Sequence, residues 1–195
     1  MTRIFNRLSR SPLVAKVLAL AAIAILLQSA PQGQAGSLIP LAIEQLSDSS
    51  ELILNGTVIS KSCLRDDDNR IYTKIELAVA EVWKGAWKPN SKITIVHGGG
   101  QIDGRRTIVS NQVHYKVGEE VVAFLRLNAR GEAVTIALCQ GKFEVTTDPA
   151  SGQRYVQSIF HGGPPATGES QKARLPNKLP ITLGELRARV ETSQH

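Results

Sequence analysis

Between residues 71 and 83 the chain alternates. Ile71, Thr73, Ile75, Leu77, Val79 and Glu81 fall on one side of an extended backbone, and Tyr72, Lys74, Glu76, Ala78, Ala80 and Val82 on the other. Period two with apolar β-branched residues on one face defines a long, half-buried strand, because a helix would carry its apolar residues at a spacing of 3.6. A chain built around such a strand belongs to the mainly β class, and the segments around it agree. Residues 51–62 form a strand rich in β-branched side chains, with Gly56 marking a bulge or bend. Residues 92–96, 113–116, 133–139, 142–147 and 153–159 are further strands, and 121–127 (VVAFLRL) is the most apolar and central one.

Turn signals separate these segments. Lys84-Gly85 breaks the long strand, Asp103-Gly104 turns a small excursion over 101–110, and 148–152 (DPASG) closes a late hairpin. Residues 37–49 carry Leu38, Leu41, Ile43 and Leu46 loosely on one helical face. Thr182 and Glu185 have the spacing of a capping box ahead of Leu183, Leu186 and Val190. The expectation is a small closed or partly open β-barrel with a short N-terminal and a C-terminal helix, the alternative being a β-sandwich. Closure favours the barrel because it removes exposed edges.

The first 35 residues have a different character. A basic start with Arg3, Arg7, Arg10 and Lys16 precedes the apolar run VLALAAIAILL, and a polar stretch of small residues follows. That order is the one of a secretory signal peptide, and the run is too short for a spanning helix, which needs about 20 residues. Cleavage is expected after Ala35, leaving Gly36 first, with Ala30 as the rival site and an uncleaved amphipathic anchor as the alternative. The domain organisation then reads as a signal peptide over 1–35, a barrel over 36–159, a Gly- and Pro-rich flexible linker over 160–180, and a helix with its tail over 181–195. An exported, periplasmic or secreted location is implied, with no membrane span once the leader is gone.

The formal charge of +6 is concentrated in the same leader. Its four basic residues leave 19 of the 23 for the rest of the chain, against 17 acidic ones. A nucleic-acid binder would place its Lys and Arg on the folded part, so nucleic acid is not expected as a partner. Cys63 and Cys139 are the only cysteines, and export makes the even pair a disulfide candidate, two buried free thiols being the alternative.

Candidate chemistry is sparse. Asp66-Asp67-Asp68-Asn69 lacks the alternating ligands, glycine and distant glutamate of a calcium loop and reads as a hairpin tip. His97-Gly98-Gly99-Gly100 has the form of an oxyanion-hole glycine run, but no Gly-x-Ser-x-Gly elbow accompanies it, so it reads as a strand end where backbones approach closely. His97, His114, His161 and His195 show no zinc spacing, and no cofactor is expected. Glu119 and Glu120 are neighbours whose side chains point apart. Arg105-Arg106 beside the glycine run could receive an anion. Tyr72, Trp83 and Trp87 are the candidate partner contact, as an aromatic platform for a glycan or peptide, with core or rim packing as the alternative.

As a set, the segments LSDSSELILNGTV (46–58), Ile71-Tyr72-Thr73, VAEVWKG (79–85), 93–99, VGEEVVAFL (117–125) and Gln140-Gly141-Lys142-Phe143 resemble a family of uncharacterised exported bacterial β domains. In that family a similar domain sometimes accompanies secreted metalloprotease domains. More remotely the pattern is similar to netrin-like domains, which are OB-type barrels and include the tissue inhibitors of metalloproteinases. Those inhibitors chelate zinc through an N-terminal cysteine, and Gly36 stands where that cysteine would be. The resemblance therefore implies a fold class and no mechanism. The expected function is a non-enzymatic exported module that binds a protein partner or an envelope component. Two other expectations are an envelope hydrolase with a site assembled only in three dimensions, and a structural accessory of a surface or secretion assembly.

Overall fold

The computed structural model describes residues 38–163 and 179–194. The leader over 1–35, the cleavage point between Ala35 and Gly36, most of the expected linker and His195 lie outside the described residues.

Helix α1 (Ile43–Asp48) is followed by strands β1 (Leu52–Arg65), β2 (Ile71–Lys84), β3 (Lys92–Gly98), β4 (Gly100–Ile102), β5 (Arg105–Thr107), β6 (Glu120–Leu127), β7 (Ala133–Thr135), β8 (Lys142–Thr147) and β9 (Arg154–Gln157), and by helix α2 (Leu183–Thr192). Seven strands form one sheet in the order β1-β2-β3-β7-β6-β8-β9, and an additional pairing of β1 with β6 bends it into a ring. The ring therefore runs β1, β2, β3, β7, β6 and back to β1. A sheet that closes on itself is a partly closed barrel and not two facing sheets. Its thinnest seam is between β3 and β7, which meet in one parallel bridge, Ile95 with Ala133.

Strand β6 explains why its sequence is a continuous apolar run. Val121, Ala123 and Leu125 point into the barrel, while Val122 and Phe124 point outward into a second core, and all five are fully buried. That second core holds Ile53, Trp83, Phe143 and Val156 beneath α1 and α2, which contribute Ile43, Leu46, Leu186 and Val190. The helices are coupled by Arg189, whose guanidinium donates to both carboxylate oxygens of Glu44 at 2.8 and 3.1 Å. The capping box is present: Thr182 Oγ1 accepts from the Glu185 amide at 3.1 Å, and Glu185 accepts from the Thr182 amide at 2.7 Å.

Long strands survive around a tight barrel because they bulge. On β1 and β2, Val58 pairs with Leu77 but Ser60 with Glu76, and Gly56 pairs with Val79 but Asn55 with Glu81. Ile59 and Ala80 are the extra residues at these two shifts, and each inverts which face the following side chains occupy; at a third shift Leu54 pairs with Val82 but Ile53 with Lys84, leaving Trp83 as the extra residue. Beyond Ala80 the barrel-facing residue is accordingly Val82, and Glu81, which strict alternation assigns to the core face, is on the outside with Trp83.

Three segments differ from the sequence expectation. Residues 113–116 join no ladder; Val113 and Tyr115 plug the barrel core, where packing and not strand pairing fixes them. Strand β7 ends at Thr135, because Ala137 and Leu138 take positive φ of 47° and 59° and turn the chain. Residues 160–163, read as the start of a linker, are fastened to β9. Gly163 donates to the Val156 carbonyl at 2.8 Å, and the His161 ring stacks on Phe143 and contacts the Leu41 carbonyl oxygen through Nε2 at 2.7 Å.

The expected Cys63–Cys139 disulfide is absent, and both are free thiols. Cys63 is on β1 opposite Thr73 of β2, whereas Cys139 is in the 136–140 turn after β7, beside Gln140, whose side chain is tied to residues 39 and 41. The ring separates the two, so neither strand geometry brings the sulfurs together.

Candidate functional site

Barrel closure brings two turns to one end of the molecule. One is the β1–β2 tip. Asp66 Oδ1 accepts from the amides of Asp68 at 3.1 Å and Arg70 at 2.8 Å, and Oδ2 accepts from Arg70 Nε at 2.8 Å. The Arg70 amide and, after it, the Arg70 guanidinium hold the Asp66 carboxyl below its ordinary range. This tip is the acidic cluster whose calcium reading the sequence disfavours; here Asp66 shapes a turn.

The other turn is 128–132, between β6 and β7. Asn128 Oδ1 accepts from the amides of Arg130 at 2.9 Å and Glu132 at 3.0 Å, and Asn128 Nδ2 donates to Glu132 Oε2 at 2.9 Å. Between these two fixed turns is a groove of about 390 Å³ over the end of β3. Its walls include Asp66, Tyr72, Val96, His97, Asn128 and Arg130. The groove sits beside the thin β3–β7 seam, where the ladder between those strands has stopped.

His97 lies two residues beyond the seam residue Ile95 and lines the groove. Its Nδ1 contacts the Gly98 carbonyl oxygen at 3.0 Å and the side-chain amide nitrogen of Gln112, and its buried Nε2 has no partner among the described residues. Burial, reinforced by the positive charges of Lys61 and His114, lowers its pKa from the ordinary value, against the opposing effect of the Gly98 carbonyl. The His161 ring contacts the Leu41 carbonyl oxygen. Both rings thus face amide and carbonyl groups. Among the described residues no three His, Cys, Asp or Glu side chains converge as metal ligands.

The glycine run has the close approach expected of it. Gly99 and Gly100 take φ of 78° and 142°. A Cβ on Gly100 would stand 2.7 Å from Cys63 Sγ and from Thr73 Oγ1. Thr73 Oγ1 donates to the Gly99 carbonyl at 2.7 Å, and the Gly99 amide donates to the Ile71 carbonyl at 2.8 Å, so the run seats the β4–β5 hairpin on β1 and β2. Glu119 and Glu120 do point apart. Glu119 pairs with Lys142 at 2.6 Å, and Glu120 accepts from Asn55 Nδ2 at 2.9 Å and pairs with Arg154.

The three candidate aromatics are not one platform. Tyr72 begins β2 and Trp83 ends it, a contour of about 36 Å at ~3.3 Å per residue. Trp83 is buried against the helices and donates from Nε1 to Glu81 Oε2 at 2.9 Å, which makes it a core residue and removes it as a surface contact. Trp87, in the β2–β3 turn, is 37% exposed, at the far end of β2 from the groove. Only Tyr72 lines the groove. The sequence reading missed the 128–132 turn as a site wall, since its only local signal is an Asn four residues before a Glu in a Gly-containing turn.

The fold and this groove define a small, partly closed β-barrel protein with a preformed cleft at one barrel end. No protein-family model matches the chain, and no curated protein matches it.

Proposed function

We propose that this chain is an exported binding module whose barrel-end groove receives a protein partner or an envelope component. The observation that carries the reading is the groove itself. Tyr72 lines it between two turns whose backbones are fixed by Asp66 and Asn128, so binding would order little that is not already ordered. An aromatic ring flanked by hydrogen-bonding groups suits recognition, because the ring adds apolar contact at small entropic cost.

The position of the groove adds support. In OB-type barrels ligands are taken on the face of the second and third strands, between the loop joining the first two strands and the one joining the last two. The ring β1-β2-β3-β7-β6 has its groove in the corresponding place, in keeping with the netrin-like resemblance of the sequence. The basic and apolar zones of 1–35 support export.

The test is capture from the envelope extract of the source cells on the immobilised chain. A component retained by the unaltered chain and by Trp87→Ala, yet lost with Tyr72→Ala, is the expected result. Equal retention by Tyr72→Ala overturns the groove as the contact face.

A further inference from the structure

We infer that a second basin, between the β1–β2 tip and the β4–β5 hairpin, is a binding site for a multivalent oxyanion of the carboxylate or phosphate class. It shares Asp66, Tyr72 and Gly98 with the groove described above and extends from them to the hairpin, and the inference does not depend on the partner reading.

The basin measures about 670 Å³, and four guanidiniums line it: Arg65, Arg70, Arg105 and Arg106, with Asp66 as the one acid. Two of the four are matched. Arg70 pairs with Asp66 and Asp68, each at 2.8 Å, and Arg65 reaches Asp103 at 3.8 Å. Arg105 and Arg106 have no ion pair among the described residues, and both are exposed. Each presents a planar fork of donors that fits two oxygens of a carboxylate or phosphate, and a charge-assisted bond of this kind is about twice as strong as a neutral one.

The scaffold fixes the backbone that carries these two arginines. Asp103 and Gly104 take φ of 49° and 70°, as a two-residue hairpin turn of the twist-matched type requires. Arg105 is therefore paired with Ile102, and Arg106 with Gln101. Gly100 then lets the hairpin lie directly on Cys63 and Thr73. Ile71 and Val109 add apolar wall to the basin.

Charge decides the valence. With Asp66, Asp68 and Asp103 counted against the four arginines, the basin is only slightly positive, so a monovalent ion gains little over bulk salt. A ligand with two or more oxyanion faces can meet an unmatched fork of the hairpin with one face and Arg65 or Arg70 across the basin with another. Pyrophosphate and citrate are the two probes.

The experiment is titration of the full chain with each probe, followed through the arginine Nε–H signals in nitrogen-15 NMR spectra, at fixed ionic strength. Saturable shifts of Arg105 and Arg106 at millimolar probe are expected, with binding at least tenfold weaker in Arg105→Gln/Arg106→Gln. Saturation by pyrophosphate alone assigns a phosphate ligand, and by citrate alone a carboxylate ligand. Arg105→Lys/Arg106→Lys keeps the charge and loses the forks, and should fall between the two. Arg130→Gln, in the neighbouring groove, should bind as the unaltered chain does. Shifts no larger than those from sodium chloride of equal ionic strength, undiminished binding by both double variants, or an equal loss in Arg130→Gln would each overturn the assignment.

Discussion

Val82 and Trp83 are adjacent on β2 yet belong to different cores: Val82 packs against the barrel interior, and Trp83 lies beneath the two helices. Successive residues of a strand face opposite sides, and the register decides which of the two turns inward. Ala80 is an extra residue opposite β1, so alternation restarts out of phase after it. The barrel wall and the helical layer therefore meet at this dipeptide as they do along β6.

That placement separates the two tryptophans. Trp83→Ala empties a buried site and should cost about 3–5 kcal/mol. Trp87→Ala, at a turn surface, should change stability by no more than about 0.5 kcal/mol. Urea denaturation of the two variants checks the contrast. Similar midpoints would mean that Trp83 does not hold the helical layer.

Gly100 supplies a second, sharper test. Gly100→Ala puts a Cβ on Cys63 Sγ and Thr73 Oγ1 at a φ of 142°, and should destabilise by about 1–3 kcal/mol. Removing the sulfur relieves one of the two clashes. Gly100→Ala/Cys63→Ala should then lose less than the sum of its single variants, a coupling that a double-mutant cycle measures. Strict additivity would show that the hairpin does not rest on Cys63.

Much of this architecture was legible in the sequence. The period-two pattern of β2, the Asp103-Gly104 turn, the Thr182–Glu185 box and the double-sided apolar run of β6 each depend on neighbours a few residues away, and local chemistry dictates them. What was not legible depends on closure. The bulge at Ala80 has no local signature and moves Glu81 off the core face. Tyr72 and Asn128 meet only because β1 pairs with β6 while β3 bridges to β7. The Cys63–Cys139 expectation failed for the same reason: parity and compartment say nothing about which sides of a ring two strands occupy.

The thiols should therefore be found free. Without reductant, both should be alkylated by iodoacetamide in the unfolded chain, with mass mapping showing two labels. In the folded chain burial raises the Cys139 pKa, which disfavours the reactive thiolate. Its labelling rate at pH 7 should lie below that of an unstructured cysteine peptide and climb at higher pH than the peptide's. A mass two units light with no labels would restore the disulfide.

His97 gives the molecule an acid-side sensitivity. Its folded-state pKa is below the ordinary 6.5, so between those two values the unfolded chain binds more protons than the folded one. Its contribution to stability is present above about pH 6.5 and is lost as pH falls from there toward the folded pKa. The lowered carboxylates, Glu44, Asp66, Asp148 and Glu185, act at lower pH, where their stabilisation disappears as they protonate. Urea midpoints measured from pH 7.5 to 5 should fall, and His97→Gln should flatten that slope. An unchanged slope in His97→Gln would assign the sensitivity elsewhere.

The C-terminal helix is the remaining part whose role can be separated from the barrel. Leu186 and Val190 are fully buried against the second core, so Leu186→Ala should cost about 2–5 kcal/mol. Thr182→Ala removes the oxygen that accepts the Glu185 amide and should cost about 1 kcal/mol. Because the barrel interior is a distinct cluster that contains no α2 residue, Leu186→Ala should loosen the helical layer first. Amide exchange should then quicken in α1 and α2 at denaturant concentrations where Ile75, Leu77 and Ile95 remain protected. Simultaneous loss of protection in α2 and in β2 would instead make the two cores one cooperative unit, joined along β6 and at Val82 and Trp83.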